Sequence, residues 1–460
     1  MELHQDLKKS SEYPNSDLKP IHYSANSVRS AHSIIRRTSY LETLIHLLKA
    51  CVCSGTFAMG DAMKNAGLVF GPIGIATLGS ICIYNNHMLV RSSIEIRKRL
   101  KLSHEPNFPE TVELCFEYGP LVLRKWRNFI RHTVKTFIIA TQLGFCSVYF
   151  VFVASTLQTI LDGYGYKYDP RIYISMALLP ILLSSLIRSL KLLTPLSLLS
   201  NILILSGICM AAYICCIDLP SISERRLIAD YSNWPLFLGT TIYAFEGISI
   251  VIPLRNEMKD PKQFTSPFGV LNVGLMIVVS LAVCMGFLSY LKYGDEVKGS
   301  FTLNLDQGIF TVVIMSTVAL GILLTYPIQF HVAVDLIWWD LVATRGPFTH
   351  MTRYEMLLRM VVVLITYIMA VVVPQLNLFI SLIGAMCSTT LALVLPALCD
   401  ISLRSCPVED SRSRPSSTLI LRYTMDAISL ILAVVACLTG TFYSSKNIIE
   451  VFWLGKNLEQ

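Results

Sequence analysis

Residues 234–254 read WPLFLGTTIYAFEGISIVIPL, and the rest of the chain is best read outward from this stretch. Its length matches the roughly 20 residues a helix needs to cross the hydrocarbon core of a bilayer. Yet Glu246 sits at its middle, between Phe245 and Gly247, with Pro253 beyond. A charge at the bilayer centre costs on the order of 3 kcal/mol or more unless it is paired, and Glu246 is too central to reach either surface. Phe245-Glu246-Gly247 therefore predicts a discontinuous helix. Broken backbone is tolerated at that depth only where it lines a cavity or is buried in protein. Glu246 reads either as a gating or proton-linked group or as a structural carboxylate capping exposed N–H groups.

Composition agrees with a membrane setting. Of 460 residues, 53% are hydrophobic and only 15% charged, against about 25% charged in a soluble domain. A soluble enzyme, a disordered chain and a single-pass receptor are thereby excluded. Successive apolar windows place about eleven spans, at residues 42–65, 68–92, 133–156, 172–190, 196–216, 234–254, 268–291, 308–339, 356–374, 376–399 and 419–443. The fold class is all-α and polytopic. Residues 1–41 read as a flexible cytosolic arm without the apolar core of a signal peptide, 42–443 as the transmembrane domain, and 444–460 as a short extracellular or lumenal tail.

The net charge of +7 bears on orientation, not on nucleic acid. Basic residues collect in alternate loops, with Arg97, Lys98, Arg99 and Lys101 after the second span and Arg255, Lys259 and Lys262 after the sixth. This bias predicts a cytosolic N-terminus. The aromatic, basic run RKWRNFIRH at 124–132 reads as an interfacial amphipathic helix on anionic headgroups. The thirteen cysteines form neither CxxC pairs nor a Cys/His cluster, so no metal is expected. No Walker A loop or GxGxxG turn is present. No cofactor is expected, catalysis is not indicated, and an ion gradient is the natural energy source.

A second irregular stretch, ETLIHLLKACVCSGTFAMGDAMKNAG at 42–67, carries small and turn-prone residues, Cys53, Ser54, Gly55 and Thr56, between two half-length pieces. If spans 1–5 and 6–10 form two halves, each interrupted span is the first of its half. That is the pattern of an inverted-repeat secondary transporter with its substrate at the midplane between two broken helices. Half-helix N-termini there offer free N–H groups to a carboxylate. On this reading Cys53, Ser54, Gly55 and Thr56, with Tyr243, Phe245 and Gly247, line the substrate site, although a glycine in a membrane helix also serves simply to pack. His46 lies inside span 1, and its ordinary pKa of about 6.5 lets it titrate over the physiological range; a satisfied core histidine is the plainer reading. His331 and Asp335, one turn apart near the end of span 8, form either a cytosolic gate pair or a helix-end pair.

Five motifs in fixed order carry a family resemblance: LIHLLK at 44–49, KNAG at 64–67, TQLGFCSVYFVF at 141–152, YAFEGISIVIPL at 243–254 with NEMKDPKQF after it, and ISLIGA at 380–385 with LALVLPAL beyond. Together they resemble the proton-coupled amino acid transporters of the amino acid/auxin permease superfamily, from about Leu41 to Tyr443. The resemblance implies a LeuT-like inverted repeat of five plus five spans with one added. It also implies symport of a small neutral amino acid with a proton, and a part for His46 in proton coupling. There are departures: Ala50 and Cys53 stand where the family has glycines, Gly60-Asp61 replaces a Leu-Pro pair, and Arg255 stands where glutamate is common. The added Cβ atoms narrow the approach to backbone in span 1. An amino-acid sensor with little transport, or a transporter of another small zwitterion or amine, is the alternative. The membrane is the plasma membrane or that of a lysosome or endosome.

Overall fold

The computed structural model describes residues 37–188, 190–306, 308–346, 350–405 and 416–454; most of the N-terminal arm and the end of the tail lie outside the described residues. Ser39 begins the first helix with a capping box, its hydroxyl accepting from Glu42 N while the Glu42 carboxylate accepts from Ser39 N at 2.8 Å. Span 1 is then three pieces, α1 (Tyr40–Cys51), α2 (Ser54–Phe57) and α3 (Met59–Ala66). Gly67, at φ +95, ends it where an added Cβ would strike Ile228 Cα. Long helices follow: α4 (Phe70–Leu100), α6 (Arg127–Gly163), α8 (Leu190–Cys215), α11 (Val270–Tyr293), α12 (Ile309–Arg345) and α13 (Met351–Val372). Between them lie the short α5 (Phe108–Glu117), the sixteen-residue α7 (Pro170–Ser185), and span 6 as α9 (Trp234–Ala244) and α10 (Ile248–Glu257).

Among the described residues nine helical segments are long and apolar enough to cross a membrane. Adding α7 and the divided span 1 accounts for all eleven expected spans. Several helices overrun the expected bounds, span 2 reaching Leu100 and span 10 Ser405, and two differences bear on the reading. RNFIRH is not a separate interfacial helix: with no breaker before Thr133, it forms the first turns of α6, whose 37 residues extend about 55 Å and overrun the roughly 30 Å core. The loop's own helices are α5, capped by Asn107 and Glu110, and a single turn at Leu121–Arg124. The last span also continues past Tyr443: α16 (Ser416–Val435) leads through a π-turn at Ala436–Gly440 into α17 (Thr441–Leu454).

Packing sorts the spans into two groups. Spans 1, 2, 6 and 7 pack on one another around Leu47, Met63, Phe237 and Leu275, while spans 3, 4, 8 and 9 close around Tyr149, Tyr173, Tyr326 and Val363. Each five-span half thus gives its first two spans to one group and its third and fourth to the other. Span 5 packs on span 8 and, in the corresponding place, span 10 on span 3, as an internal twofold repeat requires. Phe57 and Tyr243 join the second core from the first group, so the groups meet at the two breaks.

Span 10 is the least regular of the intact spans. It starts as α14 (Leu376–Ile383), passes through π-turns at Gly384–Ser388 and Thr390–Val394, and ends as α15 (Leu395–Ser405). Such turns often sit at functional sites. A buried ion network ties α15 to α16: Arg404 bridges Asp400 (3.1 Å) and Asp426, Arg422 reaches Asp400 (3.2 Å), and Arg404 lies over the Tyr423 ring at 4.2 Å.

Candidate functional site

The breaks of spans 1 and 6 face each other. Helix α1 ends at Cys51, Val52 and Cys53 leave helical geometry, and α2 restarts at Ser54. Helix α9 ends at Ala244, and Phe245-Glu246-Gly247 intervenes before α10. The expected residues Cys53, Ser54, Gly55, Thr56, Tyr243, Phe245, Glu246 and Gly247 are all buried. One direct bond joins the two spans at this level, from Ser54 Oγ to Tyr243 Oη at 2.9 Å. Contact is close enough to demand glycine: a Cβ on Gly55 would lie 2.7 Å from Ala244 Cα, and one on Gly247 would lie 2.6 Å from Cys51 Sγ.

Glu246 is 3% exposed, and both of its carboxyl oxygens are buried without a hydrogen-bond partner among the described residues. Its electrostatic neighbours are Cys51 of span 1, Cys82 of span 2, and Cys387 with Ser388 of span 10. The Ser388 hydroxyl faces the carboxyl without closing a hydrogen bond to it. Among the described residues no cation or capping N–H holds Glu246, so the capping alternative finds no support. A carboxyl in so apolar a pocket is costly as an anion unless it is paired.

Residues missed in the sequence complete the site. Tyr149 of span 3 is fully buried, its hydroxyl without a hydrogen-bond partner among the described residues, beside Cys53 and Tyr243. Phe145, one turn earlier, meets the Tyr243 ring edge-on at 4.8 Å. Phe57 packs edge-on against Phe152 at 5.7 Å. Phe145, Tyr149 and Phe152 recur at helical spacing within TQLGFCSVYFVF, but apolar residues fall on every side of that helix and hide which face turns toward the site. The π-turns of span 10 likewise left no signal beyond Gly384.

The remaining expected residues lie away from the breaks. His46 is not among the residues that meet there. It lies on the exposed face of α1 with Leu41 and Ile45, opposite the buried Thr43, Leu47 and Cys51, about 10 Å along the axis from Cys53. The spacing from His46 to Cys51 falls well short of a whole number of helical turns, and so the two point to different sides. His331 is bound by more than its own helix: its Nδ1 accepts from Arg359 Nη2 at 3.2 Å. Arg359, 2% exposed, also donates to the Ser185 carbonyl (3.0 Å) and to Glu355 (3.2 Å), which binds Arg188 at 2.5 Å. A guanidinium only donates, so His331 is the acceptor in this bond. The setting is a network across spans 4, 8 and 9 in the second group, with Asp335 half-buried one turn on.

Two broken spans meeting inside a five-plus-five repeat define the class: a secondary transporter of LeuT-like fold. The chain matches the family described as transmembrane amino acid transporter protein over residues 36–442, and it belongs to that family, the amino acid/auxin permeases. It is similar to the proton-coupled amino acid transporter-like protein pathetic of Drosophila melanogaster, 32% identical over 364 residues covering 78% of this chain and 76% of the relative. It is also similar to amino acid transporter AVT3C of Arabidopsis thaliana, 26% identical with 90% and 92% covered. Among solved structures the fold is shared with Mhp1 in an inward-facing conformation (TM-score 0.53, 15% identity, 91% and 92% covered) and with MhsT in complex with L-phenylalanine (TM-score 0.53, 13% identity, 88% and 99% covered).

Proposed function

We propose that this amino acid transporter carries small neutral amino acids together with protons, by alternating access around the breaks of spans 1 and 6. The observation that carries the reading is Glu246: a carboxyl without a hydrogen-bond partner among the described residues, buried at one break and beside the residue that ends α1 at the other. Separating the bundle of spans 1, 2, 6 and 7 from the remaining spans changes what surrounds it, which is the requirement for linking proton uptake to opening. The zwitterion meets backbone at Cys53–Thr56 and Phe245–Gly247, with its side chain toward Phe145, Tyr149 and Tyr243. The tight packing of these groups favours a small substrate. The relative named proton-coupled supports the energy source, and the basic end of the molecule faces the cytosol on the charge bias. The gradient is that of the plasma membrane or of a lysosomal or endosomal membrane.

The test is uptake by purified protein in liposomes across an amino acid panel, with proton and sodium gradients imposed separately. Uptake of small neutral amino acids is expected to follow the proton gradient and ignore sodium. Glu246→Gln should bind substrate yet lose the gradient dependence, whereas His46→Ala should keep most of it. Saturable uptake that requires sodium and ignores pH would overturn the coupling, and binding without flux would favour the sensor.

A further inference from the structure

The basic end of the molecule contains a cleft of about 360 Å³, well away from the breaks and unused by the mechanism above. Three separate pieces of chain build it. The last turns of α4 supply Arg97 and Lys98, the following turn supplies Lys101 and Glu105, and the last turn of α10 supplies Arg255. Four cations thus share one carboxylate. The volume lies at the small end of the range of ligand sites, about 300–1,000 Å³.

The internal pairing leaves cationic capacity unused. Glu105 bonds Arg97 and lies 3.5 Å from Arg255 Nη1. Arg255 also reaches the Asn256 side chain at 3.2 Å, but its Nε is buried with no acceptor among the described residues. Lys98 and Lys101 are exposed, and neither makes an ion pair among the described residues. Arg99, by contrast, is engaged outside the cleft by Glu95 (2.9 Å) and the Leu403 carbonyl (3.1 Å).

The helix dipole accounts for part of this. Cations are favoured in the last turn of any helix, which suffices for Arg97 and Lys98. It does not explain Lys101, which lies beyond the helix end at φ +50, where glycine would sit without strain. The same rule covers Arg255 in the last turn of α10, but it does not account for the ends of two helices from different halves of the repeat presenting their cations to one cleft.

We propose that this cleft binds a phosphomonoester anion, such as that of a phosphorylated lipid headgroup, with Glu105 as the internal anion that the ligand displaces. Two guanidinium forks and two ammonium groups match the acceptor-rich, doubly charged phosphate. Ile94 and Leu102 line the same cleft and offer an apolar surface to the glycerol or acyl end. Basic pockets between spans at the membrane surface are suited to such headgroups. Because Arg255 belongs to α10, which starts at the span 6 break, the bound anion ties that half-helix to the end of α4.

The experiment measures binding directly, independent of transport, on the purified full chain in detergent at moderate salt. The probes are a short-chain phosphatidylinositol bisphosphate, soluble inositol trisphosphate and, as an anionic lipid without a phosphomonoester, short-chain phosphatidylserine. Saturable binding of the bisphosphate lipid in preference to phosphatidylserine is expected. Equal binding of inositol trisphosphate would show that the phosphate groups suffice, and binding of the lipid alone would show that the apolar wall contributes; either supports the site. Lys101→Gln, at an exposed position that leaves the fold intact, and Arg255→Gln should each weaken binding about 5-fold, on roughly 1 kcal/mol per cation near the surface. Glu105→Gln should tighten it by a similar factor. The pair Lys259→Gln and Lys262→Gln, at the same end but outside the cleft, should change nothing. The proposal is overturned if the bisphosphate lipid does not bind saturably, if phosphatidylserine binds as tightly, if the control pair weakens binding as much as Lys101→Gln, or if Glu105→Gln fails to tighten it.

Discussion

Replacing Gly55 by alanine probes the closest approach between the two broken spans. The new Cβ would stand 2.7 Å from Ala244 Cα and 2.9 Å from Ala244 Cβ, whereas carbon atoms in contact settle at about 3.5–4.0 Å. Neither neighbour can swing aside, since one is backbone and the other is the first side-chain atom of a helical residue. The breaks must therefore part by roughly an ångström. Overpacking of this kind costs about 1–3 kcal/mol. The same movement stretches the 2.9 Å Ser54–Tyr243 bond beyond useful range, at a further cost of about 0.5–1.5 kcal/mol. Gly55→Ala should consequently lower the melting midpoint of the purified protein, followed by tryptophan fluorescence. It should also weaken substrate binding, tenfold for every increment of about 1.4 kcal/mol lost at the site. Adding Ala244→Gly removes the contact to Ala244 Cβ but leaves the shorter one to Ala244 Cα, so rescue should be partial. A Gly55→Ala protein with wild-type melting and wild-type uptake would refute the close packing of the breaks.

Tyr243→Phe and Ser54→Ala each delete one end of the bond joining spans 1 and 6. Measured in a double-mutant cycle by thermal unfolding, the pair should show a coupling of about 1 kcal/mol, and additive effects would count against the bond. Asp426→Ala leaves Arg404 buried with one fewer counterion, so a loss of about 3–5 kcal/mol is expected from denaturation of the detergent-solubilised protein; a change below about 1 kcal/mol would show that water reaches the network. Arg359→Met strips His331, Glu355 and the Ser185 carbonyl of a shared donor. It should lower the melting midpoint and reduce uptake, while the gradient dependence linked to Glu246 persists in whatever transport is left.

The eleven spans and the break at Phe245-Glu246-Gly247 are legible in the chain itself. The hydrocarbon interior imposes its demand locally: about 20 successive residues must be apolar and must bond their own backbone, so each span announces itself without reference to any other. Glu246 stands out for the same reason, as a charge where charge is expensive. The break of span 1 is legible too, though as a cluster of small residues with Gly55 among them and without the turn at Val52–Cys53.

What the sequence does not show depends on direction and distance. In a helix that is apolar on every side, periodicity does not say which face turns inward. Tyr149 and Phe145 are therefore invisible in the sequence, while His46 looks closer to the site than it is. One partner of His331, Arg359, comes from another helix, and the π-turns of span 10 pack against span 6, far away in sequence. The cleft among Arg97, Lys101, Glu105 and Arg255 exists only because the ends of two distant helices meet. The chain by itself determined that it is a many-span membrane protein with about eleven candidate spans, two of them interrupted, since solvation in lipid is settled residue by residue. Only the tertiary structure decided which side chains meet at those breaks, because helical rotation and contacts between distant segments are set by packing.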